Sequence, residues 1–197
     1  MSNNNFLRIA GIAGILSMVC WLGVFFTQNP DVAAPPSPLT QMFIYGVALT
    51  GIVFAVGLYL VYRQDAAMLS LVAATVIVLG YLVGIIGALA KADVTVIAPL
   101  TEGGLVVGMF LFSWLAYSTR RMPRLLSIIG MIGGLAGVVV VVLLQLTGFG
   151  TNPIFTQNPI LSAVGGLIYF AYILGLLVWV VWTGIVLLSG KYQPRTA

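Results

Sequence analysis

The sequence predicts an all-α fold: a polytopic membrane bundle of six transmembrane helices with short loops. Three observations predict it. Of 197 residues, 61% are hydrophobic and only 6% are charged, whereas a soluble domain carries roughly 25% charged residues. Six apolar stretches reach the roughly 20 residues that a helix needs to cross a hydrocarbon core about 30 Å thick. Most basic residues gather in alternate connections, the pattern that orients membrane proteins. Little sequence is left outside these stretches, so a single integral membrane domain is expected over 1–197.

The first helix is expected over 6–27. Its basic and apolar parts resemble a signal peptide, but the small residues Ala33 and Ala34 lie well past the apolar run and precede Pro35, so an uncleaved helix is the better reading. The second, 41–62, follows the Pro35-Pro36 break. A tight turn, "YRQDAA", leads into the third at 66–90 and sets Asp65 beside Arg63. The fourth, 99–119, is placed to begin at Pro99, because proline is favoured in the first helical turn and disfavoured in the interior. The fifth, 123–147, enters through Pro123. The sixth, 159–189, starts at Asn158-Pro159. At 1.5 Å per residue it runs to roughly 46 Å, so it must tilt, project or bend near Gly165-Gly166.

With the N-terminus in the cytoplasm, Arg8, Arg63, Arg120, Arg121, Arg124, Lys191 and Arg195 fall inside and Lys91 alone falls outside. The bias predicts cytoplasmic N- and C-termini in the inner (plasma) membrane. Tyr59, Tyr62, Trp114, Tyr117, Trp179 and Trp182 then lie near the inner interface, where rings serve as anchors.

Small residues at helical spacing mark packing faces: Gly80, Gly84 and Gly87 on helix three, Gly104 and Gly108 on helix four, and Gly130, Gly133, Gly134 and Gly137 on helix five. Such faces let backbones approach closely in lipid. Helices three to five are therefore expected to form the tight middle of the bundle.

The chain has no histidine and one cysteine, Cys20. An internal disulfide, a CxxC site, the usual zinc spacings, bis-histidine haem and histidine-based catalysis are thereby excluded. No HExxH, GxSxG, P-loop or GxGxxG pattern occurs in a suitable setting, and no cofactor, metal site or enzyme activity is expected. The net charge of +4 is dispersed, unlike the concentrated patch that nucleic acid requires.

Glu102, in "VIAPLTEGGLVVGMF", is the acid nearest an apolar segment. In the first turn of helix four it would complement the helix dipole; deeper, it would mark a proton or cation site. Lys91 and Asp93 flank the same outer loop and could join it. Arg120, Arg121 and Arg124 in "STRRMPRLL" satisfy the orientation rule and could contact anionic lipid headgroups.

The segments "LRIAGIAGILSMV", "RMPRLLSIIGMIGGLAGV" and "LGLLVWVVWTGIVLLSGK" resemble the corresponding parts of uncharacterised bacterial six-helix integral membrane proteins grouped as a domain of unknown function. The resemblance implies the six-helix architecture and a bacterial source, and supplies no activity or site residues. Two functional readings follow. In the first the bundle is a non-catalytic accessory or scaffold subunit, or binds lipid or an apolar ligand, with membrane lipids, other membrane subunits or a homo-oligomer as partners. In the second it is a small transporter or channel with Glu102 at its outer mouth.

The string FTQNP occurs twice, at 26–30 and 155–159. Both copies fall on the outer side, which does not fit an inverted 3+3 repeat. The second is expected to launch the sixth helix, with Asn158 as the cap and Pro159 in the first turn. The first begins in the same way at Asn29-Pro30-Asp31 but is expected to be stopped within about a turn or two by Pro35-Pro36, leaving a short surface turn.

Overall fold

A computed structural model describes residues 3–27, 36–90, 94–147 and 157–190, and their side chains outside residue 3, 94–98 and 144–147. Six helices follow one another: α1 (Asn3–Thr27), α2 (Pro38–Tyr62), α3 (Ala67–Ala90), α4 (Val94–Thr119), α5 (Arg124–Thr147) and α6 (Pro159–Ser189). No strand occurs among the described residues. Each of the six is long and apolar enough to cross a membrane, the architecture of a multi-pass membrane protein. The outward surface is correspondingly apolar on every helix, with Phe26 79%, Met42 70%, Leu89 68% and Leu167 70% exposed. Isolated apolar side chains are ordinary on soluble proteins, but a continuous apolar exterior is suited to lipid.

Helices adjacent in sequence pack against each other, and α1 also packs against α6, so the six close into a ring. Close backbone contacts occur around much of it. Gly80 of α3 meets Gly104 of α4, Gly133 of α5 meets Gly175 of α6, and Gly11 of α1 meets Gly184 of α6. Gly84 faces Thr101, Gly108 faces Ile77 and the Ala73 carbonyl, Gly130 faces Ser113 and Trp179, Gly134 faces Phe110, and Gly137 faces Val106 and Tyr172. Gly87 is buried. The expected tight middle of α3 to α5 is therefore only part of the packing. The α1–α6 and α5–α6 seams are as close, because Gly11, Gly175 and Gly184 remove side chains where the ring closes.

The helix ends have identifiable chemistry. Asn158 caps α6, its Oδ1 accepting from Ile160 N at 3.1 Å and Leu161 N at 3.2 Å, with Pro159 at the first helical position. The helix continues through Gly165-Gly166 to Gly190, whose left-handed φ of 66° ends it. Of the two FTQNP copies, the second starts a helix in this way; Asn29 and Pro30 of the first lie outside the described residues. Ser37 caps α2 by accepting from Thr40 N at 3.1 Å. Thr40 Oγ1 donates to the Thr27 carbonyl at 2.8 Å and so fastens the start of α2 to the end of α1.

Helix α4 begins at Val94, five residues before the expected start, and carries Pro99 inside it. Proline discourages a helix N-terminal to itself because it clashes with the carbonyl four residues earlier and removes a donor. Membrane helices tolerate this more readily, since neighbouring groups can satisfy the released carbonyl. Glu102 consequently stands more than two turns into α4.

Candidate functional site

Residues 102, 106, 109, 113 and 116 are spaced by four and three, the step that holds one helix face. Val106, Met109, Ser113 and Ala116 on this stripe are all buried, and Glu102, half-buried, continues it. The carboxyl lies within electrostatic range of Tyr169 and Tyr172 on α6. One turn below, Val106 and Tyr172 share the space left by Gly137 of α5. The Tyr169 and Tyr172 rings stand edge to face at 6.3 Å. On the opposite side of the ring, Tyr81 of α3 passes over Gly51 of α2 and hydrogen-bonds Ser17 of α1. This end thus brings a carboxyl and several hydroxyls into an otherwise hydrocarbon interior. Lys91 and Asp93, the other members of the expected outer cluster, lie outside the described residues.

Beneath this level the interior is filled by rings from facing helices. Phe54 of α2 meets Trp179 of α6 edge to face at 5.9 Å, and Tyr62 of α2 meets Phe112 of α4 at 6.0 Å. Two aromatics expected as interface anchors therefore belong to the core, with Tyr62 0% and Trp179 2% exposed. Trp114 and Tyr117 are exposed as anchors should be.

At the opposite end from Glu102 the structure assembles a charged pair. Arg121 Nε lies 2.5 Å from Asp65 Oδ2 and its Nη2 donates to Oδ1 at 3.1 Å, with side chains 8% and 7% exposed. The two-point geometry matches a planar guanidinium to a carboxylate. Local structure aims both groups. Asp65 N and Ala66 N both donate to the Tyr62 carbonyl at 3.0 Å, which closes the α2–α3 turn. After α4, Arg120 takes a left-handed φ of 57°, uncommon for a residue with a side chain, and the chain reverses so that Arg121 points inward.

Of the three arginines expected as lipid contacts, Arg120 and Arg124 remain exposed, whereas Arg121 is buried against Asp65. Asp65 pairs with Arg121, 56 residues away. The Tyr62 hydroxyl is buried within electrostatic range of both.

Among the described residues no group of three or more histidine, cysteine, aspartate or glutamate side chains could hold a metal ion. No protein-family model, curated protein or solved structure matches the chain.

Proposed function

We propose that this membrane protein is a small transporter for protons or a small cation, with Glu102 as the group that binds the ion inside the bundle. The observation that carries the reading is the register of α4. Because the helix begins at Val94, Glu102 is not a first-turn acid serving the helix dipole. It occupies the buried stripe of a membrane-spanning segment, opposite Tyr169 and Tyr172. Placing aspartate at the centre of a membrane helix costs about 2.5–3.5 kcal/mol on insertion scales, and acids retained in such segments usually serve ion or proton pathways. The tyrosine hydroxyls within electrostatic range of the carboxyl can each donate and accept a hydrogen bond when an ion or water lies between. In the orientation favoured by the basic residues, Glu102 faces the outer half of the membrane and both termini are cytoplasmic.

The test is flux in proteoliposomes carrying a pH-sensitive dye, with alkali cations supplied separately. Wild-type protein is expected to move protons or a cation down an imposed gradient, and Glu102→Gln to lose that flux. Equal flux from both proteins would remove the reading.

A second reading, an accessory bundle that packs against another membrane subunit or a lipid, is favoured by the first turns of α6. From Gln157 to Val164 every residue is exposed, so no helix of this chain covers that segment. Native mass spectrometry after mild solubilisation is expected to retain the partner or lipid under this reading. A bare monomer under all mild conditions would count against it.

A further inference from the structure

Most hydroxyls in these helices satisfy themselves locally. Thr27, Thr50, Thr119 and Ser127 donate to the carbonyl four residues back, at 2.7, 2.6, 2.7 and 3.3 Å. Ser70, Ser118 and Ser189 donate to the carbonyl three back, each at 3.1 Å. Such back-bonding is the ordinary fate of serine and threonine in a helix. The hydroxyls of Ser113, Thr183 and Tyr62 depart from it: each is buried without a hydrogen-bond partner among the described residues. A buried unsatisfied polar group carries a desolvation cost and calls for an explanation.

Their positions supply one. Ser113 follows Glu102 by eleven residues on α4, and Thr183 follows Tyr172 by the same number on α6. Eleven residues are close to three full turns and a descent of about 16 Å. Each hydroxyl therefore lies on the same face as the polar group above it, and the two helices run in the same direction. The polar Glu102–Tyr172 pair is thus followed about three turns lower on the same faces by Ser113 and Thr183. Ser113 Oγ and the Trp179 ring there fill the place where a side chain at Gly130 of α5 would stand. Further towards the terminal end come Tyr62 and the Asp65–Arg121 pair.

We propose that Ser113, Thr183 and Tyr62 form a water-holding site that is the inward half of a proton route, running from Glu102 to the mouth closed by Asp65 and Arg121. This inference rests on the transport reading of Glu102 and makes the proton its cargo. A hydroxyl both donates and accepts, and a buried water makes about three hydrogen bonds, to protein groups or to further water, so hydroxyls in need of partners at successive depths suit a short file of bound waters. A dehydrated Ca²⁺ or Mg²⁺ would instead require about six oxygen ligands. The step balances without a co-reactant. Protonated Glu102 releases its proton to a water and becomes carboxylate. Each water or hydroxyl along the route accepts a proton on oxygen as it gives its own O–H hydrogen to the next. A proton then leaves to bulk water at the terminal end, and Glu102 is reprotonated from the other side. Val106 and Met109, both 0% exposed, separate the two levels, so transfer requires transient wetting between them.

The experiment compares full-length wild type, Glu102→Gln, and the triple variant Ser113→Ala/Thr183→Val/Tyr62→Phe in proteoliposomes under a clamped potential and an imposed pH gradient. Labelling by a hydrophobic carbodiimide, which attacks protonated buried carboxyls, is read in parallel. The triple variant should lose about tenfold in flux, the scale of one hydrogen bond in a relay, yet still take up the label at Glu102. Wild-type flux from the triple variant, with Glu102→Gln inactive, would overturn the hydroxyl route and leave the transport reading standing. Equal flux from Glu102→Gln and wild type would overturn both. Radiolytic hydroxyl labelling of wild type guards against a triple variant that fails to fold. Tyr62 should be modified despite its burial, and its complete protection would overturn the water site whatever the variants do.

Discussion

Replacing Arg121 with methionine tests whether the Asp65–Arg121 pair holds the two connections together. The substitution keeps most of the apolar stem and removes the guanidinium, which contacts both carboxylate oxygens at 2.5 and 3.1 Å. Asp65, whose side chain is 7% exposed, would then lose the guanidinium in a setting that contains little water. Breaking a buried pair from one side costs about 3–5 kcal/mol. The low end, about 3 kcal/mol, is expected here because the pair lies at the mouth of the bundle, where a short turn of the α2–α3 connection can rehydrate the carboxylate. Asp65→Asn should cost a similar amount, since it strands the guanidinium. The double variant should be less damaging than the two costs combined, with a coupling of about 1–3 kcal/mol. Unfolding in detergent micelles, titrated with a denaturing surfactant, measures all three. If each single variant costs under about 0.5 kcal/mol, as at an exposed pair, or if the two costs simply add, the inward-facing pair is not what holds this end.

The same unfolding assay checks three further substitutions. Gly104→Ala places a Cβ 2.6 Å from the Val76 carbonyl and 2.9 Å from Gly80 Cα; as both obstacles are backbone, a loss of about 1–3 kcal/mol is expected. Gly166→Ala has nothing within 4 Å of the added Cβ and should stabilise α6 by about 0.5–1 kcal/mol through helix propensity. Asn158→Ala removes the acceptor for Ile160 N and Leu161 N and should cost about 1 kcal/mol.

The helices were legible in the sequence because each needs only local information. An apolar run of membrane length and a polar or proline-rich break identify a span without knowledge of its neighbours. The Asn158 cap was equally local. The start of α4 was misplaced for a reason of the same kind. Proline obeys a local rule in water, and that rule relaxes where surrounding helices can satisfy the carbonyl it leaves. Moving the start from Pro99 to Val94 changes Glu102 from an end-of-helix acid into an interior one. The glycine spacings mark helix faces, but spacing does not identify what each face meets. Gly11 with Gly184 depends on ring closure between the first and last helices, and no spacing within either helix announces it.

The Asp65–Arg121 pair exposes a different limit. Basic residues in membrane loops have a sufficient explanation in orientation, and that explanation treats Arg120, Arg121 and Arg124 alike. What separates them is conformation. A left-handed residue at Arg120 reverses the chain, so of the two consecutive arginines Arg120 is exposed and Arg121 is buried against Asp65. The consequence extends to function. With a carboxyl at one end and a neutralised ion pair at the other, the interior contains one acid free to gain and lose a proton without first breaking a salt bridge among the described residues, Glu102. Any charge carried past it must cross the dry layer of Val106 and Met109. An open channel would leave that layer wet at rest; a filled core with a hydroxyl level on its far side demands intermittent wetting. Under the proposed proton transport, Met109→Ser, which lowers the cost of bringing water to that layer, should raise proton flux in proteoliposomes by about tenfold, a gain in hydrogen bonding of ordinary size. Unchanged flux in a folded Met109→Ser protein would mean that the barrier does not lie between the two polar levels.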